Sequence, residues 1–438
     1  MRLAKIQATL GPACSSPDVL RKMAEAGMDG CRINMSHCSP RQARELVDTI
    51  RKLSLECGRP MAIGADLRGP KLRISDVEGD GILLEEGASI ELTTEDRPTV
   101  PGLISVNYPH LADDVRPGDP VLLNDGIFKL RVESVKQGRV FCVVEKGGTL
   151  TSRKGFNLPG VPLRVPSLTQ KDLEDLTLAV ETKVDFLYVS FARSRQHIQD
   201  VRTALARLGA TLPIVAKIER QEGVDALPEI VDAADGICVA RGDLGIETPL
   251  GSVPEIQREA VGLCRKAGKF VMMGGQLLVS MVSNPTPLRA EVADIATVVR
   301  DGYDAVVLSD ETAAGDYPVE AVRVAAEVIA RTETALTEEK AREEELAASR
   351  SRDIGPVVIV SHSGTAALRF SASRAALPIV VAVSRPEIAS WLSTWWGVIP
   401  VLVEDLSDPT AAANRAISAA TEMEPSLAVG KPLVLYEL

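Results

Sequence analysis

The chain has 438 residues, of which 45% are hydrophobic and 25% charged, and its 49 basic and 60 acidic residues give a formal net charge of -11. This length is enough for two or three globular domains. An acidic chain without clusters of Lys and Arg is unsuited to bind nucleic acid, so we expect small-molecule partners.

The seven cysteines form no Cys-X-X-Cys pair, and the four histidines lack metal-ligand spacing. This indicates free thiols in a reducing compartment and argues against a zinc site. The chain enters a strand-like stretch at once, and no run of about 18 apolar residues occurs. We therefore expect a cytoplasmic protein with no targeting segment and no membrane partner.

Eight short apolar runs alternate with helix-compatible segments, which is typical of βα units in a parallel sheet. In chain order the runs are KIQATL, CRINMS, MAIGADL, FLYVSF, PIVAKIE, GICVAR, FVMMGG and AVVLS. Eight such units predict an α/β fold built on a closed TIM (β/α)8 barrel, formed by residues 1–73 and 166–334.

Between residues 74 and 165 the pattern changes to short strand-like runs separated by turn sequences such as NDG and KQG. We predict an inserted all-β domain that leaves the barrel after its third strand and closes over it as a lid. Asp125, in the NDG turn, is either a simple turn residue or a lid contact to bound substrate or nucleotide.

Residues 335–352 are rich in Glu, Lys, Arg and Ala and predict an exposed helical connector. Strand-helix alternation resumes in PVVIVSHSG, LPIVVAVSR and VIPVLVED. These predict a small three-layer α/β domain over residues 353–438. Trp391, Trp395 and Trp396 fall at helical spacing, which indicates a core or interface and not a binding site.

Polar residues follow several of the barrel strands. The ends of parallel barrel strands share one rim, which is where catalytic groups are found. Lys217 and Glu219 end the fifth run, and Asp243 follows the sixth. Two carboxylates suit Mg²⁺ or Mn²⁺, which completes its shell with water and substrate oxygens. Alternatively, Lys217 and Glu219 form only a structural ion pair.

Gly242 and Gly245 lie where a helix begins after the sixth run, and backbone N–H groups at such a position can hold a carboxylate or phosphate. Lys217 could neutralise charge on a transferring phosphoryl group or an enolate. Arg32 and Arg73 add two forked anion-binding groups. Together these residues predict a metal-dependent site for a small, multiply anionic substrate.

Nine motifs occur in order between about Leu3 and Val322. They are KIQATLGPA, RINMSHC, DLRGPKLR, NLPGVPLRVPSLTQKDLEDL, VSFARS, AKIERQEGVD, VARGDLGIE, PTPLRAEVADIA and LSDETAAGDYPVEAV. In this order they closely resemble the signatures of the pyruvate kinase family. The resemblance implies Mg²⁺-dependent phosphoryl transfer from phosphoenolpyruvate to ADP, giving pyruvate and ATP, in a homodimer or homotetramer.

The resemblance also implies roles for individual residues. Lys217 would stabilise the phosphoryl group in flight, and Glu219 and Asp243 would hold the metal. Arg32 and Arg73 would bind phosphate. The remaining substrate-binding positions are Ala240, Arg241, Gly242, Gln276 and Ser309, and those for the nucleotide cofactor are His37, Lys171 and Asp125.

The monovalent-cation site departs from the family pattern. Most members hold K⁺ with residues that match Asn34, Ser36 and Asp66, together with a glutamate whose position is occupied here by Lys71. A tethered ammonium would supply the positive charge that the ion brings. We therefore predict activity without K⁺, as in the K⁺-independent branch of the family.

The seventh-strand motif departs further, because alanine-threonine-glutamine-methionine-leucine-glutamate is replaced here by GGQLLV, residues 274–279. The missing threonine, at Gly275, is linked in the family to protonating the enolate. Loss of a proton donor costs on the order of 10²–10⁴ in rate unless water fills the gap. Three interpretations stay open: a tolerated change, altered chemistry as a kinase or metal-dependent lyase (aldolase or decarboxylase) on a larger oxo acid, and a non-catalytic relative.

The segment SHSGTAA, residues 361–367, keeps part of the family's phosphate-binding signature for sugar-phosphate activators. The glycine-rich loop and final strand that complete that site in the family do not follow, which implies a shortened C-terminal domain. We therefore expect no activation by a bisphosphorylated sugar.

Overall fold

The structure is a computed structural model that describes residues 2–347, 354–374, 377–428 and 431–437. The chain begins with β1 (Lys5–Leu10), α1 (Pro17–Ala26), β2 (Gly30–Asn34), α2 (Pro40–Glu56) and β3 (Ala62–Leu67). Ser16 and Ser39 cap α1 and α2, and each is followed by proline. A capping serine and a proline that needs no N–H partner fix where both helices start.

The inserted domain follows β3 and is built almost entirely of strands. Its elements are β4 (Ile82–Leu84), β5 (Ser89–Thr93), β6 (Leu103–Ser105), α3 (Leu111–Asp114), β7 (Pro120–Leu123), β8 (Phe128–Lys136), β9 (Arg139–Lys146), β10 (Gly148–Leu150) and β11 (Phe156–Asn157). A six-stranded sheet has the order β11-β7-β8-β9-β5-β6, and β10 pairs with β4. Alternate side chains of β8 are buried in a separate apolar core, as expected for a sheet with one solvent face. The predicted all-β insert is confirmed, and residues 74–165 remain its proposed bounds.

The second part of the barrel follows the insert. Its elements are α4 (Gln170–Glu181), β12 (Phe186–Val189), α5 (Arg195–Arg207), β13 (Ile214–Ile218), α6 (Gln221–Asp225), α7 (Leu227–Ala233), β14 (Gly236–Ala240), α8 (Arg241–Glu247), α9 (Val253–Ala267), β15 (Phe270–Gly274), α10 (Arg289–Asp301), β16 (Ala305–Leu308), α11 (Asp310–Ala313) and α12 (Pro318–Ala347). The strands close in the order β1-β16-β15-β14-β13-β12-β3-β2 with parallel pairing throughout. All eight predicted runs are barrel strands, which confirms the TIM barrel.

Helix α12 is the last helix of the barrel, and it continues without a break into the predicted connector. Residues 335–347 belong to this helix, while residues 348–352 lie outside the described part of the chain. The carboxylate of Glu333 accepts hydrogen bonds from the backbone N–H groups of Leu3 and Ala4, both at 2.7 Å. This contact ties the helix to the start of β1.

The C-terminal domain contains β17 (Ile354–Ser361), α13 (Thr365–Ala372), β18 (Ile379–Val383), α14 (Pro386–Leu392), β19 (Val398–Leu402), α15 (Pro409–Met423) and β20 (Lys431–Glu437). Its four parallel strands have the order β19-β18-β17-β20. Helices α13 and α14 share one apolar cluster with the sheet, and α15 shares another. The predicted three-layer α/β domain is confirmed.

This domain closes the amino-terminal end of the barrel. The ring of Trp391 packs against Phe186 and Phe270, with centroid distances of 5.5 and 5.4 Å. A buried ion pair joins Arg374 to Asp304 at 3.0 Å. The tryptophans are therefore core residues, as predicted, and the carboxyl end of the barrel is left for the site.

Candidate active site

Lys217 lies in a buried polar cluster at the carboxyl end of β13. Its Nζ is 2.9 Å from Oε1 of Glu219 and 3.3 Å from Oδ2 of Asp66, and it donates to Oγ of Ser190 at 2.8 Å. Burial opposes the charged form, but Asp66 and Glu219 together raise the pKa of Lys217 above its usual value. The ammonium group therefore stays charged although its side chain is only 11% exposed.

Asp66 joins Lys217 to Arg32. Nε of Arg32 donates to Oδ2 of Asp66 at 2.7 Å, and its Nη1 donates to Oγ1 of Thr9 at 3.0 Å. Burial opposes ionisation of Asp66, yet Lys217 and Arg32 lower its pKa. The carboxylate is thus a charged bridge that fixes both cations at the barrel end.

Glu219 and Asp243 are the two carboxylates of the predicted metal site. Oε2 of Glu219 accepts a hydrogen bond from the backbone N–H of Phe191 at 2.7 Å. Burial raises the pKa of Glu219, Asp243 raises it further, and Lys217 opposes both effects. A divalent cation would offset this repulsion, so the pair fits Mg²⁺, which needs only one or two protein carboxylates. Among the described residues no cluster of three or more His, Cys, Asp or Glu could hold a metal.

A cavity of about 130 Å³ opens between these groups. Its lining includes eight of the predicted site residues, which are Arg32, Lys217, Glu219, Ala240, Gly242, Asp243, Gly275 and Ser309. Gly274, the first residue of the GGQLLV motif, lines it as well, and three further lining residues were missed from the sequence: Tyr188, Cys238 and Val307. Each of these three lies two positions before Ser190, Ala240 or Ser309 at the end of its strand, so period-two alternation was the signal that could have found them.

Arg73, Arg241 and Gln276 do not line this cavity. Arg73 lies in a separate cavity beside the insert, where its guanidinium donates to the backbone carbonyl of Arg153 at 2.9 Å. The side chain of Arg241 pairs with Asp294 at 2.7 Å and donates to the carbonyl of Gly275 at 3.0 Å. Gln276 is exposed. Arg241 therefore holds the loop after β15 in place.

The three predicted nucleotide-side residues also lie outside the cavity. His37 lies at the rim and is largely exposed. Partial burial of its ring lowers its pKa, and the positive charges of Arg73, Lys71 and Arg68 lower it further. Lys171 forms an ion pair with Asp175, one turn further along α4. The three residues stay predictions for nucleotide binding.

Asp125 has a left-handed backbone with a φ of 55°, between Asn124 at 51° and Gly126 at 85°. This supports the turn interpretation. A β-carbon added to Gly126 would lie 3.9 Å from Cγ2 of Ile246 in α8, so the turn lies against the barrel rim. The lid interpretation therefore stays open as well.

The four residues of the predicted cation site make separate contacts in the structure. Oδ1 of Asn34 accepts from the backbone N–H of Ser36 at 3.1 Å, whereas Asp66 pairs with Arg32 and Lys217. Nζ of Lys71 lies 3.6 Å from Oδ1 of Asp243. The ammonium of Lys71 thus lies beside a carboxylate of the predicted metal site.

The insert is joined to the barrel by buried polar contacts that the sequence analysis missed. Arg220 forms a buried ion pair with Glu247 at 3.0 Å and donates to the carbonyl of Val161 at 3.1 Å. Asn157 of β11 donates to Glu247 at 2.7 Å. Arg193 donates to the carbonyl of Leu163 at 3.0 Å. These contacts fix one of the two connections between insert and barrel.

The loop Ser361–Thr365, at the start of α13, holds a carboxylate from within the chain. Oε1 of Glu437 in β20 lies 3.3 Å from Oγ of Ser363, and its Oε2 accepts from the backbone N–H of Ala366 at 3.2 Å. Oγ of Ser361 also bonds to Glu437. The part of the chain that resembles a phosphate-binding signature is thus occupied by an internal anion.

A closed barrel with a buried lysine beside two carboxylates, with an inserted all-β domain joined to it, defines a TIM-barrel enzyme for small anionic substrates. A family model described as pyruvate kinase, barrel domain, matches residues 1–322, and one described as pyruvate kinase, alpha/beta domain, matches residues 339–435. The chain belongs to the pyruvate kinase family and is a phosphotransferase. This family uses a divalent metal, ADP and ATP, and its substrates are small molecules.

Curated relatives match nearly the whole chain. A pyruvate kinase of Staphylococcus saprophyticus is 37% identical over 97% of this chain and 76% of its own length. One of Methylorubrum extorquens is 37% identical over 95% of this chain and 90% of its own length. One of Staphylococcus aureus is 35% identical over 96% of this chain and 75% of its own length.

In the described residues, no helix combines the length and hydrophobicity needed to cross a membrane.

Proposed function

We propose that the protein is a pyruvate kinase, which transfers the phosphoryl group of phosphoenolpyruvate to ADP with Mg²⁺ or Mn²⁺ and without a requirement for K⁺. The observation that carries this proposal is the arrangement of Arg32, Lys217, Glu219 and Asp243 around one cavity. The relatives named pyruvate kinase support the same reaction.

The residues of the cavity suit each part of this reaction. Arg32 and Lys217 would face the transferring phosphoryl group, where two fixed cations stabilise developing negative charge. The backbone N–H groups at Gly242 and Asp243 would hold the substrate carboxylate. Glu219 and Asp243 would hold the metal, whose chemistry when bound is to neutralise phosphate and enolate oxygens.

Residues outside the cavity would act when the insert closes. Arg73 and Asp125 lie on or beside the insert, and His37 and Lys171 lie at the rim. Closure of such a domain excludes water and brings binding groups to the substrate. We therefore keep Arg73 as a phosphate ligand and His37, Lys171 and Asp125 as nucleotide contacts in this proposal. Gln276 and Arg241 are kept as substrate-side residues that shape the loop after β15.

Independence from K⁺ is supported by Lys71. Its ammonium is 3.6 Å from Asp243 and would supply a fixed positive charge next to the metal. Asn34, Ser36 and Asp66, the residues that match the family's K⁺ ligands, are bonded to one another or to cations. A site arranged in this way has little need of a second monovalent cation.

A second candidate function is a metal-dependent lyase acting on an oxo acid. The observation that favours it is Gly275, which places no hydroxyl group beside the cavity. Such an enzyme would form pyruvate from oxaloacetate or a 4-hydroxy-2-oxo acid without any nucleotide.

We further propose a homodimer or homotetramer that acts in the cytoplasm. The first part is supported by the family, and size-exclusion chromatography with light scattering would test it. The second is supported by the seven free cysteines, five of which are buried.

Phosphorus NMR of the purified protein with phosphoenolpyruvate, ADP and Mg²⁺ in potassium-free buffer would test the main proposal. We expect ATP from the wild type and none from Lys217→Ala. If no ATP forms even after K⁺ is added, the proposed kinase function is wrong, and the lyase substrates become the next test.

A further inference from the structure

A buried ion pair joins the two chain segments that carry the carboxylates of the predicted metal site. Arg220 directly follows Glu219 at the end of β13, and Glu247 lies one helical turn after Asp243 in α8. Nη1 of Arg220 is 3.0 Å from Oε1 of Glu247. The two segments that a metal would bridge are therefore already connected by a second contact from the same two elements.

This ion pair is buried and held by several further hydrogen bonds. Arg220 is 6% exposed and Glu247 is 2% exposed. Nε of Arg220 donates to Oε2 of Glu222 at 2.8 Å, and its Nη2 donates to the backbone carbonyl of Val161 at 3.1 Å. Asn157 of the insert donates to Oε1 of Glu247 at 2.7 Å. Charged groups held by so many partners are fixed, so the ion pair sets the position of α8 relative to the end of β13.

The two carboxylates of the predicted metal site benefit from a fixed arrangement because they repel each other. Burial raises the pKa of Glu219, and the negative charge of Asp243 raises it further, although Lys217 opposes both effects. If the segments that carry these carboxylates could move apart, metal binding would have to bring them together again, and the affinity would fall. Segments that are already held together bind the metal without this loss.

We propose that Arg220 and Glu247 are positioning residues that hold Glu219 and Asp243 in the arrangement a divalent metal needs. The insert takes part in this role, since Asn157 lies in its last strand and bonds to Glu247. The proposal rests on the proposed metal-dependent function and adds two residues, outside the cavity, on which the affinity for the metal depends.

Binding of Mn²⁺ to the full-length protein without substrates would test the proposal, with electron paramagnetic resonance measuring the free ion. Arg220→Met and Glu247→Met form the decisive comparison, because their effects on the charge near the metal are opposite. By charge alone, loss of the arginine would tighten Mn²⁺ binding and loss of the glutamate would weaken it. We expect both variants to raise the Kd for Mn²⁺ by about 10-fold to 100-fold, the range for residues that orient metal ligands.

Arg220→Lys keeps the positive charge but lacks the guanidinium fork that bonds to Glu247, Glu222 and a backbone carbonyl together. It should therefore restore part of the affinity that Arg220→Met loses, with a Kd between those of Arg220→Met and the wild type. A charge that acts only at a distance would instead give this variant the wild-type Kd.

Arg51→Met is the control for a general loss of stability. Arg51 pairs with Asp185 at 2.9 Å, and Asp185 precedes β12, at the opposite end of the barrel from the predicted metal site. This variant should lower the melting temperature and leave the Kd for Mn²⁺ unchanged. An equal rise of the Kd in Arg51→Met and Arg220→Met would overturn the proposal.

The proposal is also overturned if the Kd of Arg220→Met is unchanged or lower than that of the wild type, because charge alone then accounts for the result. If the methionine variants do not fold, Arg220→Lys decides, and a wild-type Kd in that variant overturns the proposal.

ATP formation from phosphoenolpyruvate, measured on the same samples, separates this proposal from the proposed function. ATP from the wild type without the expected rise of the Kd in the variants overturns only the positioning role. A wild type that binds Mn²⁺ and forms no ATP overturns the proposed kinase function, and a wild type that binds no Mn²⁺ overturns both.

Discussion

Gly275 faces the backbone of Gly242 so closely that a β-carbon on Gly275 would lie 2.9 Å from the amide nitrogen of Gly242. Gly275 also has a φ of 87°, in the left-handed region that favours glycine. The family's threonine therefore cannot occupy this position on the present backbone. Residue 275 therefore combines a backbone conformation that favours glycine with the absence of the family threonine's hydroxyl group.

We predict that Gly275→Thr lowers stability and does not increase ATP formation. A β-branched residue at positive φ costs on the order of 1–3 kcal/mol, and the clash with Gly242 adds to this. Thermal unfolding and an ATP assay would measure both effects. Gly274→Ala is the control: it has no steric conflict and restricts the unfolded chain, so its melting temperature should not fall. If the Gly275→Thr variant is as stable as the wild type and more active, the loop does accept threonine at this position and the prediction is wrong.

Lys217→Met should abolish most phosphoryl transfer. Loss of a preorganised charge in a water-excluded site typically costs about 10²–10³ in rate. It should also reduce stability by about 3–5 kcal/mol, because Glu219 is left as a buried carboxylate without its cation. ATP formation and urea unfolding would be compared with those of Lys52→Met, which alters an exposed lysine of α2. If Lys217→Met has wild-type activity, Lys217 has no role in the mechanism.

The rate of ATP formation should be the same with and without K⁺ in the wild type. In Lys71→Met the positive charge beside Asp243 is lost, so we expect at least a tenfold lower rate in potassium-free buffer. Added K⁺ should restore part of it if the ion can replace the ammonium. Initial rates in tetramethylammonium and potassium salts would show this, and a wild type that needs K⁺ would contradict it.

Stability should fall between pH 6.5 and pH 4 because of His197, which is 2% exposed in α5. Burial and the nearby Arg193 lower its pKa from 6.5 to about 4, whereas Asp200 and Asp172 oppose this. The unfolded chain then binds a proton that the folded protein excludes, so the stabilisation is complete above pH 6.5 and lost as pH falls through 4. The difference is worth about 3 kcal/mol at most.

Urea unfolding at several pH values would measure this effect. We expect the free energy of unfolding to fall less steeply with decreasing pH in His197→Gln than in the wild type. The control, His362→Gln, changes an exposed histidine and should keep the wild-type slope. If the free energy of unfolding depends on pH equally in the wild type and in His197→Gln, other titratable groups cause the loss of stability at acid pH.

A bisphosphorylated sugar should not activate the enzyme, because Glu437 occupies the loop of Ser361 and Ser363. A phosphoryl group would have to displace this carboxylate and meet its negative charge. Kinetics with fructose 1,6-bisphosphate would check this for the wild type and for Glu437→Gln, which keeps the size of the side chain but removes its charge and one of its two acceptor oxygens. Strong activation of the wild type would contradict the prediction that Glu437 prevents a phosphoryl group from binding to this loop.

The fold could be predicted from the sequence because each barrel strand is a short apolar run that stands alone between helices. The positions of Lys217, Glu219 and Asp243 follow from the same pattern, since the ends of parallel strands meet at one rim. The environment of Lys71 could not be predicted, because its contact with Asp243 joins the loop after β3 to helix α8, which are far apart in the sequence. Tyr188 lies inside an apolar run, and only its spacing two positions before Ser190 could have marked it as a cavity residue.

The closure of the barrel by Trp391 bears on the order in which the protein is made. Phe186 and Phe270 are synthesised more than a hundred residues before Trp391, which covers them. A nascent chain that ends after α12 would have its eight strands but would expose these rings at the open end of the barrel. Exposed apolar surface of this kind is what chaperones bind, so completion of the C-terminal domain would mark the point at which the barrel no longer needs protection.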